Sequence, residues 1–236
     1  MSNIWVLTRR ELKAYFSSPI AYIIMTLFLL FSAWFFASSL FLANTADLRS
    51  LFSGARMLLL FFVPALAMRM LAEEKRSGTI EILSTMPLKD WQLVLGKFIP
   101  SFLLISITLL LTLVHYITLV ILGNPDFGAS FGGYVGMFFM SGVYLSIGLF
   151  TSSLTKNQIV AFITAFVIIF VLFLLDKIVI FMPSYVATIF EFLSTDYHYE
   201  NIARGVIDSR DVIYYVSLIF FFLFLTVKSL ETRKWK

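Results

Sequence analysis

Runs of about 20 predominantly apolar residues, the length a helix needs to cross a hydrocarbon core of roughly 30 Å, recur six times in this 236-residue chain. They fall at 20–43, 51–70, 98–122, 131–154, 159–182 and 212–227. A soluble domain of this length has no interior large enough for that much apolar surface. With 60% hydrophobic and only 14% charged residues, the chain needs lipid as its solvent. Backbone polar groups within a bilayer must be satisfied inside the segment, so the runs predict helices. The fold class is all-α and polytopic, with six spans in a single transmembrane domain over 1–236. The first run is too long for the apolar core of a cleaved signal peptide and is read as a retained helix.

Ahead of it, a helical projection of 4–16 places Ile4, Trp5, Leu12, Tyr15 and Phe16 on one side and Arg9, Arg10 and Lys13 on the other. That pattern suits a helix lying in the headgroup layer. Ser18-Pro19 then supplies a break and a helix start.

Charge sorts the loops by side. With six spans, Arg9, Arg10, Lys13, Arg69, Lys75, Arg76, Lys89, Lys97, Lys156, Lys228, Arg233, Lys234 and Lys236 share the side of the N-terminus, and only Arg49, Arg56, Lys177, Arg204 and Arg210 share the other. That bias of 13 to 5 predicts both termini in the cytoplasm. The basic residues flank spans and form no independent basic domain, which argues against a nucleic-acid partner.

The longest cytoplasmic loop carries the densest chemistry. Gly78 breaks a helix leaving the second span, Thr79 caps a new one, Ile80 and Leu83 give it an apolar side, and Pro87 ends it. A short charged helix of this kind fits a groove in a soluble partner, although a solvated loop has the same composition.

The run Glu74-Lys75-Arg76-Ser77-Gly78-Thr79-Ile80-Glu81-Ile82-Leu83, followed by Pro87, resembles the coupling-helix signature of ABC-2 type permeases. The resemblance extends along the whole chain: amphipathic N-terminal helix, six spans, this loop after span two and a long segment before span six. It implies a bacterial inner-membrane exporter subunit that pairs with a second or related permease and binds two ATPase subunits. Glu73, Glu74, Arg76, Gly78, Thr79, Ile80, Glu81, Leu83 and Pro87 form the coupling site, with Glu74, Arg76 and Glu81 as polar contacts and Ile80 and Leu83 filling the groove. ATP and Mg would reside on the partner, with no cofactor or metal on this chain, and the outer segment offers room for an extracytoplasmic accessory protein. The stretch from Tyr197 to Asp211 is similar to the gliding-motility-associated permease subunits within that family.

Inside the spans the polar inventory is thin. His115 and Asp176 are the candidate pathway groups by default, since ionisable residues within spans are costly. A helix-to-helix hydrogen bond accounts for His115, and an interfacial ion pair with Lys177 accounts for Asp176. Gly128, Gly132 and Gly136, followed by Gly142, Ser146 and Gly148, lay small residues along span four for close packing, either within the subunit or across a dimer. Pro64 and Pro100 predict kinks or breaks in spans two and three.

Several chemistries lack their residues. Gly96-Lys97 is followed by Phe98, without the upstream glycine or hydroxyl of a P-loop. There is no H-E-x-x-H, no cysteine, and no histidine besides His115 and His198. An intramembrane enzyme is therefore disfavoured. A scaffold subunit of an ABC-dependent assembly, including metal-site maturation, remains the alternative to an exporter.

Overall fold

The computed structural model describes residues 3–42, 47–80, 88–179 and 182–233, and helices dominate them. In chain order they are α1 (Asn3–Ser17), α2 (Pro19–Phe41), α3 (Arg49–Ala67), α4 (Ala72–Ser77), α5 (Asp90–Leu111), α6 (Leu113–Leu122), α7 (Phe127–Leu154), α8 (Gln158–Ile178), α9 (Ser184–Leu193), α10 (Thr195–Ala203) and α11 (Ser209–Arg233). Six helical stretches are long and apolar enough to cross a membrane: α2, α3 with α4, α5 with α6, α7, α8 and α11.

Their starts are written in side chains. Ser18 caps α2 with Pro19 at its first turn, Asp126 accepts the N–H groups of Gly128 and Ala129, and Asn157 accepts that of Ile159. The expected proline breaks fall elsewhere. Pro64 and Pro100 sit inside continuous helix, whereas α3 ends at Ala67, three residues past Pro64. The third span is interrupted at Thr112, whose hydroxyl donates to the Leu109 carbonyl and whose own carbonyl accepts from Tyr134. Proline's clash is with the carbonyl one turn back, so a helix can absorb it where neighbours rearrange the freed groups.

Helix α7 occupies the centre. It is the least apolar of the six spans and the most buried, while the strongly apolar α8 is largely exposed. The inversion is physical: a span surrounded by protein can use small and hydroxyl residues, but one facing acyl chains must be apolar. Glycines let neighbours approach α7 on several sides. A Cβ at Gly133 would strike Phe52, one at Gly136 Tyr199, one at Gly142 Ile219 and one at Gly148 Ala67.

Helix α1 packs on α5 and α2. Its packed line is buried Leu7 and Thr8 followed by half-buried Glu11 and Tyr15 at about one-turn spacing, with Leu7 against Gly96 and the Tyr15 hydroxyl 2.8 Å from Ser101 Oγ. Burial pushes the Tyr15 hydroxyl up to about 12, so it remains a phenol. Trp5 and Phe16 are exposed, so the apolar side expected from the projection is divided between protein and surroundings.

Candidate functional site

Charged side chains gather at the two ends of the bundle. At one end, helix α3 stops at Ala67 and the chain turns through residues 68–71 before α4. Ser152, fully buried near the end of α7, holds this turn: its hydroxyl accepts the N–H groups of Leu71 at 3.0 Å and Ala72 at 2.9 Å and donates to the Met68 carbonyl at 3.0 Å. Lys75 donates to the neighbouring Ser153 carbonyl. The α4 entry is thus clamped to α7 by hydrogen bonds that use every donor and acceptor of one hydroxyl.

A second tie runs through Lys97. Only 4% exposed, its ammonium lies 2.6 Å from Glu74 Oε1 and 3.4 Å from Glu11 Oε1, joining α5 to α4 and α1. The other oxygen of Glu74 is buried without a partner among the described residues. Glu74 therefore faces inward and is not presented as a surface contact. Ile80 is likewise packed in the core, while Arg76 is exposed and Glu73 half-buried. Acidic Glu73 and Glu74 begin α4, and basic Lys75 and Arg76 end it, matching the helix dipole. Gly78 terminates α4 at φ 73, a conformation that favours glycine, and the Thr79 hydroxyl reaches Ser77 Oγ at 2.9 Å. The described charged helix precedes Gly78; Thr79 and Ile80 resume helix, and Glu81, Leu83 and Pro87 lie outside the described residues.

At the opposite end, α10 rests on the first turns of α7. Gly132 and Gly136 receive it, for a Cβ at Gly132 would lie 2.1 Å from the Ile202 carbonyl oxygen, while Gly128 lies against Gly205. Small residues that sequence left open between two uses thus pack within the subunit. Arg56 on α3 pairs with buried Asp196 and lies 3.7 Å from Glu200, its guanidinium 4.4 Å from the Tyr199 ring centroid. Lys177 on α8 reaches Asp196 at 2.9 Å and Asp176 at 2.8 Å. Asp176 does pair with Lys177, but as one corner of a network binding α3, α8 and α10. Burial pushes the Asp196 carboxyl up, and Arg56 and Lys177 pull it down.

His198 joins this end to α11: Nδ1 is 2.6 Å from Asp211 and Nε2 is 2.9 Å from the Phe192 carbonyl oxygen. A cavity of about 620 Å³ opens beside the network, lined by the starts of α3 and α7 and by α10. His115 belongs to neither end. Its Nδ1 lies 2.9 Å from the Thr112 carbonyl oxygen in its own span, and its ring packs 4.8 Å from Phe36. The ring thus bonds within its own span, not helix to helix as expected.

Sequence reasoning did not single out Glu11, Ser152, Arg56, Asp196 or Tyr199, and it used Lys97 only as a positive charge and in rejecting a P-loop. Their partners are 80 to 140 residues away in several cases, and no local spacing announces such pairs.

Six apolar spans, five of them around the buried central α7, closed at each end by ion pairs, define an integral membrane protein of the helical-bundle class. Residues 5–227 match the model of a family described as ABC-2 family transporter protein, and the chain belongs to that family. No curated protein matches it. Membership makes the chain the membrane-spanning component of an ABC transporter, a transport component and not itself the catalyst, and implies an ABC ATPase partner.

Proposed function

We propose that this chain couples ATP hydrolysis on two separate ATPase subunits to export, or to mechanical work, across a bacterial inner membrane, paired with a second or related permease. The observation that supports this most is the double anchoring of α4. A helix that only decorated a loop would need no buried cation; this one is held to α7 by Ser152 and to α5 and α1 by Lys97. Displacement of the segment 73–87 by a partner would therefore act on three helices together. An ATPase that binds one arrangement of these ties more tightly than another shifts the equilibrium between them, which is all that coupling requires. In this reading Glu74 transmits force inward, and Arg76, at the exposed end of α4, meets the ATPase with Glu81 and Leu83.

The α4 end faces the cytoplasm in this scheme and the α10 end faces out. Few charges lie within the spans, which favours a lipid-like, polymeric or mechanical load over a small ion. The likeness of 197–211 to gliding-motility subunits points to mechanical work; that stretch builds most of α10 and the start of α11, at the other end of α7 from α4.

Co-purification with ATPases from the native cell tests the assignment, comparing wild type with Arg76→Glu and Leu83→Asp. Loss of one specific ATPase from both inserted variants is the expected result. If wild type brings down no ATPase, or both variants keep it, the coupling site is misplaced. An ATPase that stays bound and turns over without altering accessibility in the spans would favour a scaffold.

A further inference from the structure

The cavity beside α10 is where the charge network leaves groups unsatisfied. Its volume of about 620 Å³ falls within the roughly 300–1,000 Å³ typical of small-ligand sites. Arg49, Arg56 and Arg204 all line it. Arg56 is committed to Asp196 through Nη1, but its buried Nε has no partner. Arg49 and Arg204 are exposed and form no ion pair among the described residues.

The acidic groups around the same cavity are engaged. Asp126 Oδ1 accepts the Gly128 and Ala129 N–H groups, Asp47 Oδ1 accepts that of Arg49, and Glu200 faces Arg56 and Lys177. Helix α3 also begins here, with Leu48 in the cap position supplying no side-chain acceptor, so that Asp47 holds the Arg49 N–H of its first turn. Tyr199, 2% exposed, is one of the lining residues; its buried hydroxyl has no partner among the described residues, and burial pushes that hydroxyl up, keeping it a donor. Three arginines thus line the cavity alongside three carboxylates that already hold N–H groups or cations, leaving Arg49 and Arg204 as the lining cations without an ion pair among the described residues, and Leu48 and Phe52 add an apolar wall.

A ligand that complements this set is rich in acceptor oxygens, anionic and partly apolar. We propose that the cavity is a binding site for a phosphate-bearing headgroup, with Arg49 and Arg204 on the phosphate oxygens and Leu48 and Phe52 against its glycerol or similar body. Each guanidinium can present a fork of two N–H groups, and the several oxygens of one phosphate can take both Arg49 and Arg204 beside the start of α3. The site is independent of whether an ATPase drives the chain.

The test compares thermal unfolding of the full chain in uncharged detergent with phosphatidylglycerol, with diacylglycerol, and with soluble glycerol phosphate. Phosphatidylglycerol should stabilise wild type beyond diacylglycerol, and Arg49→Gln/Arg204→Gln should weaken its binding about tenfold or more, the size expected for loss of charge-assisted hydrogen bonds. Ala129→Phe, which fills the cavity and keeps both charges, should abolish the response as well. Arg9→Gln/Arg10→Gln, on the remote α1, should retain it. Equal stabilisation by glycerol phosphate would assign a soluble phosphate ester, and a response to the lipid alone would assign a bilayer headgroup. Wild type that does not distinguish phosphatidylglycerol from diacylglycerol, or cavity variants that keep the distinction, would overturn the site.

Discussion

Lys97 sits between Glu11 and Glu74 with 4% of its surface exposed, and its worth lies in what its absence would leave. The desolvation of a buried ion pair roughly offsets its attraction, but removing one member strands the other, typically at about 3–5 kcal/mol. Lys97→Met should therefore destabilise the protein by about 3 kcal/mol, at the low end because Glu74 keeps some solvent contact. Lys97→Met/Glu74→Gln should recover much of that loss, since the stranded carboxylate is gone. Thermal unfolding of the wild type, both single variants and the double variant closes the cycle. Equal losses in Lys97→Met and the double variant would show that Glu74 contributes nothing to the tie. At this scale the sequence was least readable: Glu74 stands among charged neighbours that look equally exposed, and Glu11 is 86 residues from Lys97.

Among elements, the spans were legible because lipid enforces a length and a composition that short windows reveal. Which way each helix faces was not, since lipid and protein interior both accept apolar side chains. That is why the projection of α1 chose Trp5, Leu12 and Phe16, while Leu7, Thr8 and Glu11 form its packed line. Helices α9 and α10 mix aromatic, acidic and small residues and carry no single period, so the sequence offered only a long segment there. The glycine stripe announced a close approach without naming the visitor. With α10 as the visitor, its positions become unequal. A Cβ at Gly132 meets backbone at 2.1 Å, which cannot rotate away, whereas at Gly128 the nearest atom is 3.4 Å distant. Gly132→Ala should cost about 3 kcal/mol, the upper part of the range for overpacking, and loosen the 183–211 segment to protease; Gly128→Ala should stay within about 0.5 kcal/mol. Melting curves with limited proteolysis separate the two, and equal effects would mean that α10 does not seat on Gly132.

For the molecule as a whole, α7 is the member that both ends share. Its 28 residues rise about 42 Å at 1.5 Å each. Ser152 near its last turn clamps α4, and Gly132 and Gly136 near its first turns seat α10. The α4 ties and the cavity are therefore separated by roughly the thickness of a bilayer with its interfaces, and each must face a different compartment. In the proposed orientation, which the 13-to-5 basic bias favours, the α4 end is the cytoplasmic one. The chain contains no cysteine, so single introduced thiols report without background. Lys156 follows the end of α7 and Val206 follows α10, and both are exposed. In intact spheroplasts a membrane-impermeant maleimide should label Val206→Cys promptly and Lys156→Cys only after permeabilisation. The reverse pattern would turn the bundle over, placing the α4 ties where no ATP is available and removing them as a coupling route. Labelling of both from one side would break the premise that α7 crosses the membrane.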